Sequence, residues 1–278
     1  MIPPLTLLYV PGDREDRVRK ALASDADVVL LDLEDAVAPA HKRAARDTVV
    51  RVLGERPARP VQVRVNGLGT PWAAADLAAV GGLDPAVGLR LPKVESVDAV
   101  AAALEGCGGG RAVHCLIESA VGVERAYDIA RCDPAVASIG LGEADLRSEL
   151  GIGDDEGLGW CRGRIVVAAR AAGLSPPAQS VFPDVRDLAG LAASCRRGRS
   201  LGFLGRAAIH PRQLPVIREA YRPDEAEVAR AREVVERVEQ AREAGSAVVV
   251  LPDGSFLDAA MVAAAQRVLA LAGNPSSG

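Results

Sequence analysis

Aromatic side chains are scarce in this sequence, which has three Phe, three Tyr and two Trp among 278 residues. A core with so few rings must be built from Val, Leu, Ile and Ala, the residues that buried parallel strands favour. No apolar run is long enough to cross a bilayer. The apolar stretch Leu5–Val10 lacks a basic flank and a cleavage-like site, so it predicts a first strand and not a signal peptide.

Cysteine pairs and a basic excess are also missing. The five cysteines are an odd number without Cys-x-x-Cys spacing, which argues against a disulfide framework or a structural zinc site and fits a reducing cytosol. The net charge is −4, whereas nucleic-acid binders more often gather a basic excess on one face. We therefore expect a cytoplasmic protein with no nucleic-acid and no membrane partner.

Short apolar runs alternate with amphipathic or Ala-rich segments, which is the pattern of a parallel α/β sheet. The predicted strands are Thr6–Val10, Val28–Leu33, Val61–Val65, Val87–Leu91, Val113–Ile117, Val136–Leu141, Ala178–Phe182 and Gly205–Ile209. Eight successive βα units favour a (β/α)₈ TIM barrel. The competing fold, a doubly wound open sheet, is disfavoured because no Gly-x-Gly-x-x-Gly turn follows the first strand.

The pattern changes after His210-Pro211. A charged helix with one apolar face is predicted from about Pro223 to Gly245, and a last helix over Ala259–Leu271. We divide the chain into a barrel domain, residues 1–222, and a C-terminal helical extension, residues 223–278. The extension is too small to bury much core alone, so we expect it to pack on the barrel or on a neighbouring subunit.

Ionisable residues gather where the predicted strands end. Arg64, Glu118 and Asp145 all fall at these ends, where the active site of a barrel lies. A single acidic residue after a strand is often only a helix N-cap. Three ionisable groups that converge on one mouth interact strongly when partly desolvated, so this set indicates a ligand or a metal.

Glu118 and Asp145 are the candidate metal ligands. Their pattern includes no nearby His or Cys, and oxygen ligands alone suit a hard cation. Mg²⁺ takes one or two carboxylates and fills its other positions with water and substrate oxygens. We therefore expect Mg²⁺ as the cofactor.

A basic stripe follows the first strand, with Arg14 and Arg17 at helical spacing and Lys42 after the second strand. One interpretation is a solvated helix face. The other is a clamp on the phosphates of a cofactor, since arginine matches phosphate geometry. The sequence leaves both open.

Seven stretches at these loops together resemble one known family. They are Tyr9–Gly12, Leu31–Val37, Arg64–Asn66, Leu91–Ser96, Leu116–Ala120, Gly142–Leu146 and Ala208–Gln213. In this order they are similar to the citrate lyase β-subunit-like (CitE-like) family, within the HpcH/HpaI aldolase/citrate lyase superfamily. The resemblance covers nearly the whole chain.

The resemblance implies a carbon–carbon lyase acting on a β-hydroxyacyl-CoA thioester such as malyl-, citramalyl-, citryl- or hydroxymethylglutaryl-CoA. It assigns Mg²⁺ to Glu118 and Asp145, and the substrate to Arg64 and Glu118. It also implies a catalytic Asp258 supplied by the next subunit, and thus a homo-oligomer, a trimer or hexamer. CoA would enter as part of the substrate, with Arg14, Arg17 and Lys42 on its phosphates.

Glu34 and Asp35 complete the predicted catalytic set with Arg64 and Asp258. They would orient Arg64 or metal-bound water, and a structural ion pair is the alternative. Two other functions stay open: a class II pyruvate-type aldolase that works without CoA, and a citrate lyase β subunit that needs an acyl carrier partner.

Overall fold

A parallel sheet forms the framework of the computed structural model, which describes residues 3–54, 56–243 and 259–273. The strands are β1 (Thr6–Pro11), β2 (Val28–Asp32), β3 (Val61–Arg64), β4 (Val87–Leu91), β5 (Val113–Ile117), β6 (Val136–Leu141) and β7 (Arg206–Ala208). Within the described residues they form one seven-stranded sheet of order β6-β5-β4-β3-β2-β1-β7. Every residue of β2 and β4 is buried, as expected of parallel strands covered on both faces.

Helices follow the strands along the chain. They are α1 (Glu15–Leu22), α2 (Lys42–Val52), α3 (Ala73–Gly81), α4 (Val97–Gly106), α5 (Ala120–Glu124), α6 (Ala126–Arg131), α7 (Glu143–Leu150), α8 (Gly159–Ala171), α9 (Leu188–Ser200), α10 (Gln213–Tyr221), α11 (Glu225–Glu243) and α12 (Ala259–Ala272). Among the described residues, every helix is too short or too polar to traverse a lipid bilayer.

The predicted strand Ala178–Phe182 is wrong as a strand. Only Gln179 pairs there, as an isolated parallel bridge to Arg206 in β7. The Gln179 amide donates to the Gly205 carbonyl and the Ala207 amide donates to the Gln179 carbonyl, both at 2.9 Å. Prolines at 176, 177 and 183 flank this segment and lack the N–H that a longer ladder needs. The segment therefore occupies the position of the seventh of the eight strands of a (β/α)₈ barrel, but only one of its residues is bridged to a neighbouring strand.

Register determines which side chains share a face. Asp32, Arg64, Arg90, His114 and Ser138 are successive partners across β2 to β6, and we call them the upper row. Tyr9, Leu30, Gln62 and Gly88 are successive partners two residues earlier, and we call them the lower row. Because side chains alternate along a strand, both rows project from the same face of the sheet.

The end of the chain forms a separate compact unit that begins at Glu219, after a first unit over Pro3–Arg218. In it α11 packs on α12 through Ala231, Val234 and Ala265, which are buried. The two helices match those predicted from Pro223 and from Ala259. Gly245 lies outside the described residues, and the docking of the extension stays a prediction.

Candidate active site

Arg64 and Asp32 form the centre of the site, at the carboxyl ends of β3 and β2. Arg64 donates from Nε to Asp32 Oδ1 at 2.7 Å and from Nη2 to Asp32 Oδ2 at 2.6 Å. Such a two-pronged pair fixes the plane of the guanidinium as well as its position. The Asp32 carboxylate is itself fixed, because it accepts the backbone amides of Glu34 and Ala36.

The two other acidic residues of the β2 loop also reach Arg64. Its Nη1 lies 3.0 Å from Glu34 Oε2 and 3.1 Å from Asp35 Oδ2. Burial opposes the charge of Arg64, but the hydrogen bonds and charge of Asp32 outweigh it, so the pKa of the guanidinium is raised. Arg64 is therefore a permanent cation of fixed orientation.

Glu34 is buried, and one of its oxygens is poorly satisfied. Its Oε2 forms the ion pair with Arg64 but has no partner in hydrogen-bond geometry. Burial raises the pKa of this carboxyl to about 7, although the charge of Arg64 lowers it. Glu34 is thus a group that can hold or release a proton near neutral pH.

Glu118 follows β5 and is also buried. Burial raises its pKa to about 8, with the charge of Glu34 adding to the effect and that of Arg64 opposing it; a hydrogen bond with Asp145 raises it further. Gly142 makes room for this side chain, since a Cβ there would lie 2.3 Å from Glu118 Cγ. The structure therefore brings Glu118 and Asp145 together.

Lys93 connects the two carboxylate groups. Its Nζ lies 3.0 Å from Asp145 Oδ2 and 4.0 Å from Glu34 Oε1. Its backbone has φ of 54°, a left-handed conformation that is uncommon for residues other than glycine. Backbone conformations of this kind cluster at functional sites, and Lys93 lies two residues after the end of β4.

Lys42, the third residue of the predicted phosphate clamp, interacts with the β2 loop. It is buried, and its Nζ donates to the backbone carbonyls of Leu33 at 2.8 Å and of Glu34 at 2.6 Å. Asn66 donates to the same Leu33 carbonyl at 2.9 Å. Two side chains thus hold the β2 loop in place, and a phosphate-binding role for Lys42 stays a prediction.

Arg14 and Arg17 are both exposed at the start of α1. Arg14 Nε lies 3.4 Å from Asp16 Oδ1. Their position fits either interpretation of the basic stripe. Asp258 lies outside the described residues, so its role also stays a prediction.

Sequence reasoning missed three members of the site. Asp32 is the main partner of Arg64, Lys93 bridges Glu34 and Asp145, and the ring of Tyr9 lies 5.1 Å from the Arg64 guanidinium carbon. Tyr9 and Asp32 stand in the stretches that carry the family resemblance. Their contacts with Arg64, however, depend on strand register, which the sequence does not specify.

Known proteins give an independent comparison. Residues 5–211 match the family described as HpcH/HpaI aldolase/citrate lyase. The chain is 35% identical to a (3S)-malyl-CoA thioesterase from Cereibacter sphaeroides, covering 97% of this chain and 95% of the relative. It is 34% identical to the citrate lyase subunit beta of Leuconostoc mesenteroides subsp. cremoris, covering 96% and 92%.

A solved structure agrees with both the fold and the family. The crystal structure of CitE from Mycobacterium tuberculosis, in complex with magnesium, acetoacetate and coenzyme A, has a TM-score of 0.83 and 34% identity, covering 98% of each chain. The predicted TIM-barrel class and the predicted family are confirmed. This chain belongs to the HpcH/HpaI aldolase/citrate lyase family.

Proposed function

We propose that this protein is a Mg²⁺-dependent carbon–carbon lyase that cleaves or forms a β-hydroxyacyl-CoA thioester. One observation carries the proposal: Glu118 and Asp145 lie together beside a fixed Arg64 at the carboxyl ends of the strands. The similarity to a citrate lyase subunit, a malyl-CoA thioesterase and a CitE structure with magnesium and coenzyme A supports it.

The donor atoms fit magnesium. Glu118 and Asp145 offer only carboxylate oxygens, and in the described part of the chain no group of three or more His, Cys, Asp or Glu is arranged to hold a metal. A pair of carboxylates is what Mg²⁺ uses when water and substrate supply its remaining ligands. When bound, the ion supplies a Lewis acid for the carboxylate and hydroxyl oxygens of the acyl group.

Arg64 has the position of an electrostatic stabiliser. Because Asp32 holds two of its nitrogens, the guanidinium needs little reorganisation when negative charge develops on the substrate. We assign it to the substrate carboxylate or to the oxygen released as a carbonyl. Glu34 and Asp35 orient it from the Nη1 side.

Cleavage requires a base for the hydroxyl proton and an acid for the acetyl carbon. We assign the hydroxyl proton to Glu34, the buried carboxyl whose pKa is raised to about 7; as this proton leaves, the carbon–carbon bond breaks and its electron pair moves to the carbon next to the thioester. We assign the proton at that carbon to Asp258, provided by the next subunit of a homo-oligomer, a trimer or hexamer. Arg14, Arg17 and Lys42 are assigned to the CoA phosphates.

A thioesterase is a second candidate, because one of the most similar relatives bears that name. Purified protein with MgCl₂ and a panel of malyl-, citramalyl-, citryl- and hydroxymethylglutaryl-CoA distinguishes the reactions. A lyase releases acetyl-CoA and a keto acid (acetoacetate in the last case), whereas a thioesterase releases the free CoA thiol and a hydroxy acid. Turnover of a keto acid donor without CoA would indicate a pyruvate-type aldolase, and turnover only with an acyl carrier protein a citrate lyase subunit.

The metal assignment is tested with Glu118→Gln. We expect kcat/KM to fall at least about 100-fold and the response to MgCl₂ to disappear, since even outer partners of metal ligands matter by 10- to 100-fold. Glu105→Gln, an exposed carboxylate on α4, is the matched control and should retain activity. Full turnover of Glu118→Gln in the presence of a chelator would overturn the assignment.

We also place the protein in the cytoplasm. All five cysteines are unpaired thiols, and four of them are buried. Free thiols persist in reducing compartments.

A further inference from the structure

Arg90 is a buried cation without a carboxylate partner. The residue is 8% exposed, and its Nε donates to Gln62 Oε1 at 2.9 Å. Within residues 3–54, 56–243 and 259–273, no acidic side chain lies within ion-pair distance of it, and its two terminal nitrogens have no hydrogen-bond acceptor. These terminal nitrogens are not fully buried, so an anion from outside the chain can reach them, and a largely buried cation without an opposite charge favours such an anion.

The register places Arg90 next to the active site. Arg90 and Arg64 are direct partners on β4 and β3, and their side chains leave the same face of the sheet. Arg64 is already neutralised by Asp32, Glu34 and Asp35. Arg90 is therefore the cation of this pair whose charge is not balanced by an acidic side chain of the described residues.

The Tyr9 hydroxyl is a second hydrogen-bond donor in this part of the site. It has no hydrogen-bond partner in the described part of the chain, while its ring stacks on Arg64. Burial raises the pKa of Tyr9, whereas the charges of Arg90 and Arg64 lower it and those of Asp32 and Glu118 raise it. The Tyr9 ring and Arg90 are thus both neighbours of Arg64, the first through ring contact and the second through strand pairing.

The other neighbours of Arg90 carry no negative charge that would compete for it. Gly88 has no side chain, and a Cβ there would lie 3.0 Å from His114 Nε2. His114 is bound through Nδ1 to Ser138 Oγ at 2.8 Å. Burial lowers the pKa of His114 to about 3, helped by the charge of Arg90, so the imidazole is neutral.

We propose that the Arg90 guanidinium and the Tyr9 hydroxyl form a carboxylate-binding subsite inside the barrel, continuous with the Arg64–Glu118 site. It takes a second carboxylate on the acyl part of the thioester. This inference rests on the proposed function and narrows its substrate class. The preferred substrate is one whose keto-acid product carries two carboxylates; citryl-CoA, which gives oxaloacetate, is an example. Substrates whose keto-acid product carries a single carboxylate are disfavoured.

Two small hydroxy acids test the subsite without turnover. Malate and lactate share the hydroxyl and its neighbouring carboxylate, but only malate has a carboxylate on the adjoining carbon. Their dissociation constants are measured by calorimetry with MgCl₂ for the natural protein, Arg90→Gln and Tyr9→Phe. We expect the natural protein to bind malate at least about tenfold more tightly than lactate, since a hydrogen bond to a charged group is worth that much.

In Arg90→Gln, the ratio of malate affinity to lactate affinity should fall close to one, while the affinity for lactate should stay unchanged. Tyr9→Phe, which keeps the ring on Arg64, should lower the ratio by about threefold. Equal losses for both acids, or an unchanged ratio in Arg90→Gln, would overturn the subsite. If Arg90→Gln does not fold, Arg90→Lys replaces it, and an unchanged ratio in both Arg90→Lys and Tyr9→Phe overturns the proposal.

Arg43→Gln is the control for the loss of a positive charge, because its side chain is 89% exposed; it should keep the natural ratio. The two proposals fail separately. A protein that prefers malate through Arg90 but converts no thioester contradicts the proposed function alone. A protein that cleaves malyl- and citryl-CoA equally well, before and after Arg90→Gln, contradicts the subsite alone.

Discussion

Arg64 and Arg90 are register partners on neighbouring strands, yet their electrostatic surroundings are opposite. Arg64 is paired with three acidic side chains from the end of β2, whereas Arg90 has one neutral hydrogen-bond partner, Gln62. The first arrangement fixes a cation in place. The second leaves the charge of Arg90 without an acidic partner among the described residues, and this difference is the basis of the carboxylate subsite that we propose.

Removing each guanidinium in turn is the most direct test of this difference between Arg64 and Arg90. Arg64→Gln leaves Asp32 and Glu34 buried without their cation, and breaking a buried pair costs about 3–5 kcal/mol. We expect its free energy of unfolding to fall by that amount in chemical denaturation. Arg90→Gln removes an uncompensated charge, so its free energy of unfolding should stay the same or rise.

Arg43→Gln is the control for both variants and should behave like the natural protein. Equal destabilisation by Arg64→Gln and Arg90→Gln would show that Arg90 is a structural residue too.

The pH dependence of the metal-free protein should sharpen the comparison, with a smaller effect. The pKa values of Glu34 and Glu118 are raised from 4.5 to about 7 and about 8, chiefly by burial. Between the ordinary pKa of 4.5 and these raised values, the folded chain therefore holds more protons than the unfolded chain. Its stability falls as the pH rises through that range. Each pKa unit corresponds to about 1.4 kcal/mol, so a loss of a few kcal/mol is expected.

Thermal unfolding in a chelator, followed from about pH 5 to about pH 8, measures this loss. Glu118→Gln should make the curve less steep, because the amide does not titrate and only Glu34 still contributes. A melting temperature that rises with pH in the natural protein would contradict the raised pKa values.

The smallest expected effect separates the acidic partners of Arg64. Asp35 is 60% exposed in its side chain, and exposed ion pairs contribute about 0–1 kcal/mol. Asp35→Asn should therefore change the free energy of unfolding by less than about 1 kcal/mol. Asp32→Asn removes the buried, two-pronged partner and should cost more. Equal effects of the two variants in urea titrations would mean that the burial of an ion pair does not determine its contribution to the free energy of unfolding.

The sequence predicted the fold well where the runs are rich in Val, Leu and Ile. β4, β5 and β6 lie where Val87–Leu91, Val113–Ile117 and Val136–Leu141 were predicted. The run Ala178–Phe182 failed because its flanking prolines limit hydrogen bonding, an effect that hydrophobicity does not register.

The site was predictable to the extent that barrel geometry alone determines it. Arg64 ends β3, Glu118 follows β5 and Asp145 lies in the first turn of α7 after β6, and the carboxyl ends of parallel strands converge. The contacts of Asp32 and Arg90 depend on which residue faces which across the sheet. The left-handed backbone of Lys93 could not be predicted from the sequence either. These features needed coordinates.

Gly142 carries a consequence for anyone who engineers this enzyme. The carboxylate of Glu118 occupies the volume that a methyl group at position 142 would fill, so even alanine there displaces it. A mutational library directed at substrate choice should leave this codon untouched, while Arg90 and Tyr9 offer variable positions nearby. Under the two proposals made above, selectivity at Arg90 and metal binding at Glu118 can then be changed independently of one another.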